Sequence, residues 1–388
     1  MNYRAVLSTP GALRVFVPSA LGRLSLATVT LSCIVLVAQV TGSYAVAGLA
    51  SGALGLANVV AAPFRARYVD RVGQRTGLRV LALGYAAGAG ALVAAASGGA
   101  PDLALVVLAA LAGLSAPPVG AAMRMRWRLL VADPAQISRA YSLDAVSEEV
   151  VFTLGPVLAG LVMAATVPEA GLVTSGALAL VGSFLMTTKA TDPPPGAPPV
   201  AGRAARSGVL RVRGFVPALL VTASTGIVVG SVSVIVPAQV APDTTLAGVL
   251  LGALALGSGI GGLTYGARDW RLHARARLVA LAVAMTLACA LLAVLPPVVL
   301  LALGLVLAGL ALAPAMVSGY LVADTLTAED VRMEAHTWVN TAVNAGEAAA
   351  FVLIGLVLDR STPAWAYVAG AGVAAVLVVA GVGATRKA

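Results

Sequence analysis

The feature of this sequence that most restricts its fold is a series of long apolar stretches that contain almost no charge. Each stretch is long enough to cross about 30 Å of hydrocarbon, because a helix rises about 1.5 Å per residue. Within a bilayer every backbone N–H and C=O must find its partner inside the protein, so these stretches must be α-helices. A β-barrel would need short alternating segments, which these are not. We therefore expect an all-α integral membrane protein.

Composition agrees with this expectation. Of the residues, 60% are apolar and only 11% are charged, whereas about 25% of a soluble domain is charged. We expect twelve spans, joined mostly by turns rich in Gly, Pro and Asp. The predicted spans are residues 13–40, 43–66, 77–97, 103–130, 139–165, 168–188, 214–240, 244–267, 276–294, 296–326, 332–359 and 363–384.

The basic residues are distributed asymmetrically about these spans. All but two of the 25 lysines and arginines lie on one side, the exceptions being Arg23, deep in the first span, and Arg360, in a loop on the other side. By the positive-inside rule that side is cytoplasmic, and both termini lie there. The net charge of +9 therefore indicates topology next to anionic lipid, and no nucleic-acid partner is expected.

The sequence contains few residues of the types that usually form disulfides, bind metals or take part in catalysis. Cys33 and Cys289 fall inside predicted spans and are expected to be core residues. His273 and His336 are far apart, and no run of residues has the spacing of a metal site. The sequence contains neither a nucleotide-binding loop nor a cofactor motif. We expect no metal, no cofactor and no catalytic residues, so the chain is not expected to be an enzyme.

The two halves of the chain resemble each other at an offset of 195 to 200 residues. Segments that recur in the same order are 16–18 and 215–217, 38–40 and 238–240, 47–54 and 247–254, 111–118 and 307–314, and 157–162 and 352–357. We therefore expect two pseudo-symmetric six-helix bundles, 1–188 and 214–388, joined by a Pro- and Arg-rich cytoplasmic linker, 189–213. Such a pair suits rocking-type alternating access.

The loop after the second span, AAPFRARYVDRVGQRTG, carries a family pattern. Asp70, Arg71, Gly73 and Arg75 match the loop of the major facilitator superfamily, which the twelve-span, six-plus-six organisation also resembles. The resemblance implies a monomer. It also implies a conformational latch, in which Asp70 docks at the start of the eleventh helix, near Arg332, when the transporter opens outward.

A second motif, GPVLAG in the fifth span, resembles the end of the antiporter motif of that family at Gly155, Pro156 and Gly160. The start of the eleventh span is also similar to bacterial efflux-type members. These resemblances imply an exporter in the bacterial inner membrane.

Several charges lie deep within predicted spans, where each costs about 2.5–3.5 kcal/mol on insertion scales. Arg23 and the pair Glu148 and Glu149 lie at similar depth, and the resemblance places their spans side by side. Arg23 with a glutamate is either a proton-coupling switch or a static ion pair. Only one of the two glutamates can face a cavity squarely, because consecutive helical residues point about 100° apart. Glu347, in the eleventh span, is the reserve candidate for proton coupling.

Other polar residues within the spans are candidates for a substrate cavity. They are Gln39, Arg124, Asp144, Gln239, Asn340 and Asn344. The alternatives are hydrogen bonds between helices for the amides and, for Arg124, snorkelling at the cytoplasmic edge, which we also expect of Arg126 and Arg128.

Together these observations predict a secondary active transporter that exports a small organic compound, drug or metabolite, in exchange for protons. Its partners are expected to be the solute, the lipid bilayer and protons. The alternatives are an uptake symporter or uniporter and, from another class, a membrane-embedded enzyme or sensor.

Overall fold

The computed structural model describes residues 6–131, 134–188, 209–266, 270–295, 297–328 and 332–386. Within them lie thirteen α-helices of at least twelve residues and no strand. The helices are α1 Ala12–Thr41, α2 Tyr44–Val72, α3 Gln74–Ser97, α4 Asp102–Leu114, α5 Val119–Leu130, α6 Pro134–Ala165, α7 Glu169–Met186, α8 Phe215–Val240, α9 Thr244–Gly266, α10 Ala274–Leu292, α11 Val298–Leu326, α12 Arg332–Leu358 and α13 Pro363–Arg386. A short 3₁₀-helix, Val209–Arg211, precedes α8.

The predicted fold class is confirmed. In the described part of the chain, twelve segments are long and apolar enough to cross a membrane. Their ends agree with the predicted spans to within a few residues, except that α2 runs on to Val72 and ends only one residue before α3. Gly73 makes this sharp joint with a φ of 84° and a ψ of 152°, a conformation open in practice only to glycine.

The fourth span departs from the prediction because it is broken into α4 and α5. Pro117 and Pro118 lie in the break, where proline removes backbone donors and ends the helix. The buried guanidinium of Arg65, on α2, donates to the carbonyls of Gly113 at 3.1 Å and Ala116 at 2.5 Å. At the break these two carbonyls lack the backbone N–H donors that a continuous helix would provide four residues later. The guanidinium of Arg65 donates to them instead.

The packing of the helices follows the sequence repeat. In the first half α1 packs on α7, α2 on α4 and α3 on α7, and in the second half α8 packs on α13, α9 on α11 and α10 on α13. The backbone of Gly113 lies against the carbonyl of Leu54, and that of Gly309 lies against the carbonyl of Leu254. Both pairs come from segments that recur in the sequence, so equivalent residues make equivalent contacts.

The two halves meet mainly through two helix pairs, α2 with α12 and α6 with α9. These pairs flank the central helices α1 and α8, whose residues are the most buried of the twelve spans. Most of the expected linker, residues 189–208, lies outside the described part of the chain, so the predicted domain boundaries stay a prediction.

Candidate functional site

The two halves enclose a central cavity of about 640 Å³. Its walls come from α1 and α6 of the first half and from α8, α9, α11 and α12 of the second. The lining is largely apolar, with side chains such as Leu26, Leu31, Phe152, Leu251, Leu254 and Met316. Small-molecule sites typically have volumes of about 300–1,000 Å³ and this kind of apolar wall with a few polar groups.

The polar groups of the cavity are concentrated on α12. Asn340, Asn344 and Glu347 are spaced four and three residues apart, so they share one face of the helix, and all three line the cavity. The Asn344 side-chain amide donates to the Asn340 carbonyl at 2.9 Å, and the Tyr320 hydroxyl donates to Asn340 Oδ1 at 2.8 Å. No side chain in the described ranges pairs with Glu347.

Arg23 has a different partner from the one the sequence suggested. Its guanidinium forms an ion pair with Asp144, and the two side chains are only 5% and 2% exposed. Arg23 also donates to Ser19 Oγ at 3.2 Å and to the Asp144 carbonyl at 3.4 Å. Asp144 lies one helical turn before Glu148 on the same face of α6, which explains why residue depth alone did not separate them.

Arg124 lies between the two carboxylates of α6. Its Nη1 is 3.8 Å from Asp144 Oδ2 and 3.9 Å from Glu148 Oε2. Positive and negative charges therefore alternate from the buried core to the cavity, in the order Arg23, Asp144, Arg124 and Glu148. Glu148 lines the cavity. Arg124 and Glu148 are 51% and 41% exposed, so this outer pair can rearrange more easily than the buried one. The side chain of Glu149 lies outside the described residues.

Arg126 does not snorkel to the membrane edge, although its neighbour Arg124 is exposed. It is fully buried. Its guanidinium donates to Gln74 Oε1 at 2.9 Å and to the Met186 carbonyl at 2.9 Å. Arg126 therefore ties α5 to the start of α3 and to the end of α7.

Sequence reasoning missed a polar cluster at the end of the cavity nearer the arginine-rich loops. His336 Nε2 lies 2.8 Å from Asp324 Oδ1, and the His336 ring contacts the Tyr320 ring at a centroid distance of 5.0 Å. Through Tyr320 the cluster reaches Asn340 in the cavity. The available signal was the short loop between the tenth and eleventh spans, which brings Asp324 close to His336.

The face of the molecule opposite the arginine-rich loops is closed by backbone contacts between the halves. Where α2 crosses α12, Gly48 lies against the Phe351 carbonyl and Gly355 against the Tyr44 carbonyl. A side chain at either glycine would overlap the partner backbone, so only glycine permits this approach.

The crossing of α6 with α9 makes the same kind of glycine-to-carbonyl contacts as the crossing of α2 with α12. Gly160 lies against the Thr244 carbonyl and Gly248 against the Pro156 carbonyl. Thr244 also donates its hydroxyl to the Gly160 carbonyl at 3.0 Å. We call the four crossing residues, Gly48, Gly160, Gly248 and Gly355, the glycine seam. Gly160 and Pro156 belong to the antiporter-like motif, whose Gly155 packs closely on Ala27 of α1.

A carboxylate reinforces the seam at the start of α2. Asp359, just after α12, accepts hydrogen bonds from Ser43 Oγ at 2.5 Å and from the backbone N–H groups of Tyr44 at 2.7 Å and Ala45 at 3.3 Å. These N–H groups belong to the free N-terminal end of α2, where a negative charge is favourable. With this face closed and Arg124 and Glu148 exposed, the central cavity opens toward the arginine-rich loops.

The two repeat-related glutamines lie away from the central cavity. Gln39 lines a second cavity of about 480 Å³ near the closed face, together with Tyr44 and Asp243. Gln239 lines neither cavity, and its Oε1 atom is buried without a hydrogen-bond partner. Gln39 and Gln239, both candidates for the substrate cavity, are therefore absent from the described lining of the central cavity.

The residues of the expected latch surround the joint between α2 and α3. Arg71 and Arg75 are exposed and Asp70 is half-buried. Within the described ranges Asp70 has no hydrogen bond or ion pair, and the side chain of Arg332 lies outside them. An undocked Asp70 agrees with a cavity that opens on this side.

Known proteins share this architecture. The family model described as Major Facilitator Superfamily matches residues 19–267, more than half of the chain. A mutant of the nucleoside transporter NupG superposes with a TM-score of 0.78 at 14% identity, over 96% of this chain and 99% of that chain. A bacterial homolog of the human lysosomal transporter Spinster, inward-facing and unoccupied, gives 0.70 at 14% identity over 99% and 96% of the two chains.

A D-xylose–proton symporter gives a TM-score of 0.70 at 13% identity, over 94% of this chain and 97% of that chain. No curated protein matches the sequence. At these identities the solved structures establish the fold alone.

Proposed function

Because the chain belongs to the major facilitator superfamily, whose members are transporters and not enzymes, we propose that this secondary transporter exports a small organic compound in exchange for protons. The observation that carries the proposal is a cavity between two repeat-related halves, closed on one face by the glycine seam and open on the other. Rocking of the halves about this cavity would expose it to each side in turn.

We assign the energy source of export to a proton gradient, because carboxylates that can bind a proton line the cavity. Glu148 and Glu347 reach it from opposite halves, and a carboxylate can exchange its negative charge for a bound proton. Glu148 has Arg124 at 3.9 Å, so a movement of Arg124 would remove the neighbouring positive charge from Glu148. We assign proton coupling to Glu148 and Glu347, with Glu149 as a further candidate, and a structural role to the buried pair of Arg23 and Asp144.

The uneven distribution of lysines and arginines about the spans supports a cellular location and an orientation for the protein. We place the arginine-rich loops and both termini in the cytoplasm of a bacterial cell, with the chain acting as a monomer in the inner membrane. In this orientation the described state faces inward. A solute would therefore enter from the cytoplasm, and the antiporter-like motif around Gly155 and Pro156 supports export.

Flux in proteoliposomes tests this proposal. Solutes are first selected by thermal shift of the purified protein, because a ligand that binds the native state raises its stability. An imposed pH gradient should then drive uphill movement of the best ligand against the proton flow. Glu148→Gln and Glu347→Gln should both lose the gradient-driven component. Glu148→Gln should keep exchange, since the neutral amide mimics the protonated acid.

Glu169→Gln, at the start of α7 and outside the lining of the central cavity, is the matched control and should behave like the wild type. Flux that follows the proton flow would indicate a symporter, and flux indifferent to the gradient would indicate a uniporter. If gradient-driven export survives in Glu148→Gln, Glu149→Gln, Glu347→Gln and the triple variant, the assigned proton sites are wrong.

A further inference from the structure

We propose that the solute is an organic cation with an apolar body, whose positive charge is held at Glu347. This inference rests on the proposed transport function and specifies the chemistry of the same cavity. The described lining residues include two carboxylates and no lysine, arginine or histidine.

The two carboxylates are not equivalent. Glu148 has a guanidinium within 3.9 Å, which balances much of its charge. Glu347 has no such neighbour among the described side chains, and it lies on a helix whose backbone is pressed against Gly226 and Gly230 of α8. A charge in such surroundings is stable only with a counter-charge or a proton. When Glu347 is ionised, a cationic solute supplies the missing charge.

The polar groups beside Glu347 also favour a positively charged group with N–H donors. Asn344 uses its amide N–H₂ on the Asn340 carbonyl, which leaves its side-chain oxygen as an acceptor for the solute. Tyr320 and Phe152 add aromatic rings to the lining, and aromatic faces attract cations.

The rest of the wall fits an apolar body. Leu251, Leu254 and Val229 face the same space, and the flexible Met316 can adapt to different shapes. The Ser233 hydroxyl donates to the Val229 carbonyl of its own helix, so it does not offer its proton to a solute. An anion would meet the uncompensated carboxylate of Glu347, and the guanidinium nearest to Glu148, that of Arg124, is already paired with carboxylates. The lining therefore selects against negative charge.

Three compounds of similar shape but different charge test the inference without any mutation. Tetraphenylphosphonium is the cation, triphenylphosphine oxide the neutral compound and tetraphenylborate the anion. Equilibrium binding to the purified protein in detergent, at fixed pH, should show saturable binding of the cation. The other two compounds should compete at least about tenfold more weakly, a difference of about 1.4 kcal/mol. Competition by the neutral compound or the anion as strong as that of the cation would overturn the inference.

Variants then locate the charge. Glu347→Gln should weaken binding of tetraphenylphosphonium by about tenfold or more, Glu347→Asp should retain most of it, and Glu169→Gln should bind like the wild type. Wild-type affinity in Glu347→Gln would overturn the assignment to this residue. If Glu347→Gln does not fold, the charge series on the wild type still decides the solute class.

The outcome is separable from that of the transport proposal. Selective binding of tetraphenylphosphonium without any flux in proteoliposomes would support the charge assignment and overturn transport. Gradient-driven flux of an uncharged ligand, with no binding of the cation, would support transport and overturn the charge assignment.

Discussion

The buried ion pair of Arg23 and Asp144 is the most unusual residue-scale feature of the first half. At the repeat-related positions the second half has Thr222 and Val339, which are also buried and which both lie beside Gly319. The second half therefore builds the same helix packing without charge. We conclude that the fold tolerates an uncharged pair at this place, whereas a single unpaired charge there is costly.

Single substitutions of this pair should cost much more stability than the double substitution. Arg23→Met or Asp144→Leu alone should destabilise the protein by about 3–5 kcal/mol. Asp144→Leu leaves the buried Arg23 without an ion-pair partner, and Arg23→Met leaves the buried Asp144 with only the exposed Arg124, at 3.8 Å. The double variant, with side chains of similar volume, should recover most of the lost thermal stability. Melting of the detergent-purified variants measures this, and a double variant no more stable than either single one would contradict it.

The sequence identified Arg23 as a charge that needs a partner, and it placed Glu148 and Glu347 deep in their spans. It did not identify Asp144 as the partner, because Asp144 and Glu148 lie one turn apart on one helix face and differ in depth by only about 6 Å. Which of them meets Arg23 depends on the angle at which α1 crosses α6. That angle is set by close contacts such as Gly155 on Ala27, which a single sequence does not reveal.

At the scale of helices, the twelve spans followed from length and hydropathy alone. The broken fourth span did not, because Pro314 occupies the repeat-related position in the second half and α11 stays continuous. The break needs two adjacent prolines and a buried donor for the released carbonyls. Arg65 supplies that donor from α2, and it also donates to the Asn58 carbonyl at 2.6 Å and to Asn58 Oδ1 at 2.7 Å.

Arg65→Met should therefore lower stability. The substitution keeps an apolar side chain of similar length but leaves the Ala116 carbonyl without a donor and the Gly113 carbonyl with only the Ala116 N–H at 3.3 Å. An unsatisfied buried group costs about 1–3 kcal/mol. Arg67→Met, two residues further on and exposed, should cost far less. Equal melting temperatures for the two variants would show that Arg65 does not support the break.

The cap that Asp359 provides for α2 is an element-scale contact between the halves. Asp359→Asn keeps the shape but removes the negative charge and one of the two acceptor oxygens, and a favourable charge at a helix end is typically worth about 0.3–1 kcal/mol. Because the contact exists only while this face is closed, the variant should shift the protein toward the state that is open on this face. A cysteine at Thr30, in the central cavity, placed in a background lacking Cys33 and Cys289, should then label several-fold faster from that side.

Asp243→Asn is the matched control for this experiment. Asp243 caps its own helix by accepting from the backbone N–H of Leu246 at 2.9 Å, so the same substitution removes a charge at the start of α9 without releasing this kind of contact between the halves. The labelling rate at Thr30→Cys should then stay near that of the background. An equal rise in both variants would show that Asp359 has no specific part in closing this face.

At the scale of the whole molecule, α2 and α12 form an antiparallel pair with a carboxylate near each end. At the closed face Asp359, which follows α12, binds the N-terminal end of α2. At the open face Asp70, near the end of α2, is expected to bind the N-terminal end of α12 once that face closes. The two carboxylates would therefore stabilise opposite states of the transporter through the same physical interaction.

Asp70→Asn and Asp359→Asn should consequently shift the equilibrium in opposite directions. Asp70→Asn should slow labelling of Thr30→Cys from the closed face, and the double variant should return toward the background rate, because the two effects compensate. Labelling that changes in the same direction for both single variants would contradict this balance. Expression and melting temperature of each variant serve as checks on folding.

The glycine seam also determines how the other state of this protein can be prepared. The glycines at each crossing have no side chain that could be removed. Any side chain added there would overlap the partner backbone, so even a methyl group acts as a wedge between the two helices. Alanine, serine and valine at Gly248 form a graded set of wedges, each thicker than the last. Such a set would hold the molecule open on the face that is closed here, in a form that a conformation-specific antibody fragment could capture for structure determination.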